Sequence, residues 1–212
     1  MHLFLSPLFL FLFWTAIGFL VGGVAASFFE WTLHRFFMHK PTWGFRYPFE
    51  RHALIHHHIF RADHTYHAAH IQDAKKIPMA WWNGPVLVAL CQLPFLVAAL
   101  ISRKWGLVCG GAIACTIYFA AYEYMHWCMH LPKRRHVERS GIFFRLNGHH
   151  LLHHRYMHKN FNVVCPLADL LLGTLILRSK VQFQQAQGPA VPNVQPKVRK
   201  LRKLDVPTEL PA

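Results

Sequence analysis

"LFLSPLFLFLFWTAIGFLVGGVAASFF", residues 3–29, runs for 27 positions without a charge. About 20 helical residues at 1.5 Å each cross the roughly 30 Å hydrocarbon core of a bilayer, so the stretch predicts a spanning helix. A secretory leader is the competing reading. No Lys or Arg precedes the run, however, it is longer than an h-region, and Glu30 and His34 continue it.

Working outward, uncharged runs recur at residues 77–102 and 105–122, separated by Arg103 and Lys104 alone. So short a basic connection predicts a helical hairpin over 77–122 that enters and leaves on one side, its first arm bent by Pro85 and Pro94. Residues 163–177 form a shorter apolar run holding Pro166 and Asp169. They are expected to form an interfacial helix. Residues 181–212 read as a basic, mobile tail against lipid headgroups. The expectation is an all-α integral membrane helical bundle: a single catalytic domain over 1–180, with a cytosolic helical cap carrying a histidine-rich dimetal site.

The chain has 23 Lys and Arg against 9 Asp and Glu. Uncharged runs of this length exclude a soluble nucleic-acid binder, and the basic excess suits loops facing anionic lipid. The predicted spans put Arg35, Lys40, Arg46, Arg51, Arg61, Lys75, Lys76, Lys133, Arg134, Arg135 and the tail on one side, and only Arg103 and Lys104 on the other. By the positive-inside rule the first side is cytoplasmic, in a bacterial inner membrane or an endoplasmic reticulum. The five cysteines have no framework spacing and read as reduced thiols, mostly buried.

That cytoplasmic side carries four histidine windows, within 34–70 and 126–158. "HRFFMH" holds His34 and His39. Five residues apart is about 140° on an α-helix, so the two rings converge only if the helix ends between them, and Lys40-Pro41 supplies a stop. "HALIHHH" holds His52 and His56 on one helical face, with His57 beside them. "HWCMH" holds His126 and His130, four apart. "NGHHLLHH" holds His150, His153 and His154, where His150 sees both of the others; His149 is the alternative to His150. Imidazole suits borderline metals, and ten such ligands exceed what one octahedral ion can use. Two ions sharing them at about five each, with an open position on each, fit the count.

Glu30 and Glu123 stand one turn before His34 and His126, where a carboxylate can accept a ligand's free ring N–H. Asp63, Asn147, Asn160 and Asn162 are weaker candidates for that role. His58, His64, His67, His70, His136 and His158 read as outer polar groups. Trp43, Phe45, Tyr47, Trp81 and Trp82 suit an interfacial belt, or the rim of a lateral substrate entrance.

The order His34-x4-His39, His52-x3-His56-His57, His126-x3-His130, His150-x2-His153-His154, with "NFNV" and "PLADLLLGTL" after it, resembles the fatty acid hydroxylase and sterol desaturase superfamily over about residues 30–177. The resemblance implies a membrane-bound, oxygen-dependent oxidoreductase whose ten named histidines hold two iron ions, with zinc admissible in purified protein. It implies hydroxylation of a lipid C–H bond (fatty acyl, sphingolipid or sterol), or the related lipid desaturation or carotenoid hydroxylation. Dioxygen is then co-substrate, and electrons come from an external cytochrome b5-like or ferredoxin carrier. The rival class, a metal transporter or sensor, needs ligands at membrane depth, whereas these windows lie beyond the apolar runs.

Overall fold

The computed structural model describes residues 6–42 and 44–177, and among them the fold is all-α. Trp43, the residues before Ser6 and the expected tail lie outside the described residues. Helix α1 spans Pro7–Thr32; the Ser6 hydroxyl accepts from the Phe9 N–H at 3.2 Å and Pro7 opens the first turn. A cap of short helices follows: α2 (Tyr47–Phe49), α3 (His57–Ile59) and α4 (Ile71–Ala74). The hairpin is α5 (Asn83–Ser102) and α6 (Gly106–His130), and α7 (Gly141–Arg155) and α8 (Leu167–Leu171) complete the chain.

Among the described residues three helices are long and apolar enough to cross a membrane: Pro7–Met38, including the turn that continues α1, Asn83–Ser102 and Gly106–His130. Their large exposed side chains, among them Leu12, Leu20, Leu93, Val97, Ile113 and Ile117, are mostly apolar, as lipid contact requires. At 1.5 Å per residue, 20 residues of α5 match the hydrocarbon core, while 32 and 25 residues in the other two overshoot it. Both surpluses can stand at the ends that carry histidine.

Helices α1 and α6 run parallel and pack through small residues. A Cβ on Gly22 would stand 2.8 Å from Ala114 Cβ, and one on Gly110 would meet the backbone of Thr15, Gly18 and Phe19. Without a hydrophobic drive between helices in lipid, such close backbone approach supplies the attraction. Helix α5 packs on α6 through Phe95 over Gly111, but barely meets α1. A groove floored by α6 is left between α1 and α5.

The hairpin tip is the expected one, with Arg103 left-handed at φ 60° as the C-cap of α5. Its arms are displaced from 77–122. Pro85 falls in the first turn of α5, where no partner is lost, and α5 continues across Pro94, while α6 runs on to His130. The helix expected over 163–177 is reduced to Leu167–Leu171, because the backbone on either side of Pro166 is spent on side-chain hydrogen bonds described below. Leu170, Leu171 and Leu172 remain exposed.

Candidate metal centre

Past Thr32 the first helix does not stop between His34 and His39. It widens into a π-turn over Leu33–Met38, and a second π-turn covers Glu50–His56. When each N–H reaches back five residues rather than four, positions i and i+5 come to one face. His34 and His39 stack with ring centroids 5.1 Å apart, and the Nε2 atoms of His52 and His57 lie 3.0 Å apart. His56 stacks beside His52 as expected, with centroids 5.1 Å apart, but its ligand atom belongs to a second group. In the regular helices the four-residue spacing holds: His126 pairs with His130, and His150 with His154, whose Nε2 atoms are 3.0 Å apart. His153 stacks on His150 with ring centroids 5.8 Å apart, as the single-face reading expects, yet its ligand atom joins the first group.

All ten histidines named from the sequence are thereby brought together in two quintets: His34, His39, His52, His57 and His153; and His56, His126, His130, His150 and His154. Within each, the ligand-type atoms lie within 4.8 Å of one another. Nearest Nε2–Nε2 separations are 2.7 Å for His34–His52, 3.1 Å for His39–His153 and 3.2 Å for His57–His153 in the first. In the second they are 3.2 Å for His56–His126, 3.3 Å for His56–His154 and 3.1 Å for His130–His150. The quintets abut, with His57 and His154 centroids 4.3 Å apart.

Four main-chain carbonyls decide the tautomers. Phe161 O accepts from His34 Nδ1, Lys159 O from His153 Nδ1 at 2.8 Å, Tyr66 O from His130 Nδ1 at 2.8 Å and Phe60 O from His154 Nδ1 at 2.5 Å. A carbonyl only accepts, so the proton sits on Nδ1 and Nε2 presents a bare lone pair. Bare lone pairs about 3 Å apart repel unless a cation lies among them. With metal–nitrogen bonds of about 2.0–2.1 Å, adjacent ligands at right angles stand about 3 Å apart, so the donor set fits two borderline divalent ions.

Burial tunes the same atoms. It holds His52, His56, His57, His150 and His154 well below the usual imidazole range, with repulsion between neighbouring rings adding to it. Burial takes His39 down to about 4, and His153 to about 3 with help from His39. Neutral imidazoles are the ligating form. Phe161 packs on His34 and His153, and Phe60 on His56 and His130, which keeps water off both groups.

His149 belongs to neither quintet; its Nε2 lies 3.1 Å from Asp169 Oδ2. His58, His64, His67, His70, His136 and His158 are exposed and outside both groups. Glu30 does not touch His34 but accepts from Val163 N at 2.7 Å, Asn162 Nδ2 at 2.9 Å and the Tyr118 hydroxyl at 2.6 Å. Nor does Glu123 meet His126, and its Oε1 has no partner among the described residues. Asp63 caps an exposed turn through Thr65, and Asn147 accepts from the Tyr66 hydroxyl at 2.9 Å. Asp169, read from the sequence only as an interruption of an apolar run, is fully buried beside the site.

The groove between α1 and α5 deepens into a mostly apolar cavity of about 610 Å³, its mouth included, with His34 at one end and Ala26, Cys91 and Cys115 among its walls. Of the aromatic residues expected to rim an entrance, Phe45, Tyr47, Trp81 and Trp82 do not line it. Trp81 is 87% exposed, which suits the belt instead. A second cavity, about 240 Å³, shares Met38, Met79 and Tyr122 with the first and reaches His52, His56 and His126.

Over 155 residues, 70% of its length, the chain is 29% identical to a dihydroceramide fatty acyl 2-hydroxylase of Arabidopsis thaliana. It spans 56% of that relative's length. No family model and no solved structure matches the chain. With a curated fatty acyl hydroxylase similar across most of the chain, and the histidine windows gathered into one cluster, the resemblance to the fatty acid hydroxylase and sterol desaturase superfamily is borne out.

Proposed function

We propose that the chain is an integral membrane lipid hydroxylase whose ten histidines hold two iron ions, zinc being an admissible substitute in purified protein. The observation that carries this reading is two quintets of converging imidazole nitrogens beside an apolar cavity that His34 lines, with His52, His56 and His126 on the smaller cavity adjoining it. Bound iron would supply activation of dioxygen for attack on an unactivated C–H bond, with electrons from an external cytochrome b5-like or ferredoxin carrier. The chain itself does three things. Phe60, Tyr66, Lys159 and Phe161 orient the ligands through their carbonyls. Phe29, Leu87, Val88 and Phe119 seat an apolar chain that enters sideways between α1 and α5. Met38, Met79 and Tyr122, common to both cavities, set how far that chain advances toward the histidines.

The relative's activity on a fatty acyl group favours an acyl chain over a carotenoid or sterol as substrate here. The basic side of the chain, which carries the histidines, faces the cytoplasm in this reading. Lipid mass spectrometry of cells expressing the wild type and His153→Ala tests it. A hydroxylated lipid confined to the wild type supports the reading, whereas the same product from both, or from neither, counts against it.

A further inference from the structure

The two quintets are supported by different parts of the chain. Carbonyls of Phe60 and Tyr66 orient ligands of the second, whereas those of Lys159 and Phe161 orient ligands of the first. Residues 159–163 have no regular structure of their own, and Asn160 is left-handed at φ 55°. What shapes them is Asp169. Its Oδ1 accepts from Phe161 N at 2.9 Å and Thr174 Oγ1 at 2.6 Å, and its Oδ2 accepts from Asn162 N at 2.8 Å and His149 Nε2 at 3.1 Å.

One peptide unit joins this carboxylate to the first quintet. The N–H of Asn162 and the C=O of Phe161 belong to the same rigid plane, so the oxygen that holds the one aims the other at His34 Nδ1. The Lys159 carbonyl is held at one remove: Asn160 N–H donates to Thr174 O at 3.1 Å, and Thr174 is tied to Asp169. No corresponding bond from Asp169 reaches the 60–66 segment.

We infer that Asp169 is a positioning residue for one metal position alone, that of His34, His39, His52, His57 and His153. The inference rests on the two-metal reading above. Asp169→Asn keeps the volume, and the Thr174 hydroxyl and His149 ring can each reverse a hydrogen bond. The backbone N–H groups of Phe161 and Asn162 cannot, so either orientation of the amide sets its NH2 against one of them. Loss of such an outer partner typically weakens metal binding 10- to 100-fold.

The test is zinc titration against a chromogenic chelator on the full chain in detergent, in two backgrounds. Where His126→Ala and His130→Ala disable the second quintet, Asp169→Asn is expected to weaken the remaining zinc site about 10- to 100-fold. Where His39→Ala and His52→Ala disable the first, Asp169→Asn is expected to leave zinc affinity within about threefold, a smaller change than outer-partner losses produce. Equal weakening in both backgrounds, or none in the first, overturns the inference while leaving the two-metal reading intact. Wild-type chain that takes up no zinc overturns both. Should Asp169→Asn fail to accumulate, Thr174→Val removes the hydroxyl that donates to Asp169 and accepts from Trp31 Nε1 at 2.8 Å, and the same selectivity at smaller amplitude is expected, with equal or absent weakening again the overturning result.

Discussion

Replacing Gly110 by Ala tests whether backbone contact between α1 and α6 holds the two quintets together. A Cβ at Gly110 would overlap the Thr15 carbonyl oxygen and stand 2.5 Å from Phe19 N and 2.9 Å from Gly18 C, against an ordinary contact of 3.4 Å or more. All three obstacles are backbone, so no side-chain rotation relieves them, and the helices must part by at least about 1 Å. Overpacking of that kind costs about 1–3 kcal/mol. Helix α1 leads into His34 and His39, while α6 carries His126 and His130, so the separation is passed to the site. A misplacement of about 1 Å can cost about 100-fold in rate. Gly23→Ala on α1 is the control, because nothing lies within 4 Å of its added Cβ. Unfolding of detergent-solubilised chain by increasing SDS, read by helical circular dichroism, should show Gly110→Ala less stable by about 1–3 kcal/mol and Gly23→Ala unchanged or up to about 1 kcal/mol more stable. Equal effects from the two substitutions would refute the packing argument.

His153→Ala should abolish lipid hydroxylation and remove about one metal per chain, since His153 sits in one quintet only; elemental analysis beside product assay checks both. Ala26→Phe and Cys115→Phe fill the cavity wall away from His34, and should shift preference toward shorter acyl chains with metal content unchanged, as read by competition between chain lengths. The metal-free chain should lose stability as the pH falls. His39 and His153 titrate at about 4 and about 3 when folded but near 6.5 when unfolded, so the unfolded state binds more protons in between. Their contribution is complete above pH 6.5 and is about 4 kcal/mol smaller at pH 5, at 1.36 kcal/mol per unit for each. A melting temperature independent of pH between 7 and 5 would count against neutral buried rings.

Much of the architecture could be read from charge alone, because the bilayer forbids it over residues 7–29, 83–102 and 106–122 and so marks those helices. The gathering of the ten histidines was legible too, since pairs four apart on helices that end on one side must face the same region. Their division into quintets was not. His34 with His39, and His52 with His57, meet only on π-turns, and a helix widens or not according to what packs on it rather than its own residue types. His149 and His150 offer the same ring to a sequence reader, and only the Asp169 carboxylate on one side separates them. The orienting acceptors are main-chain carbonyls of Phe60, Tyr66, Lys159 and Phe161, which residue identity does not reveal. Glu30 stood out as a charge, yet it accepts from the Val163 backbone N–H 133 residues away rather than from the histidine one turn on, and Asp169 accepts from backbone N–H groups 7–8 residues away as well as from His149.

Iron content of freshly isolated wild-type chain, together with X-ray absorption at the iron edge, tests the central claim most directly. Two irons per chain, each with nitrogen neighbours at the distance of imidazole ligands, is the predicted result. Chain that hydroxylates lipid while holding no transition metal, or metal bound mainly by oxygen or sulfur, would contradict it.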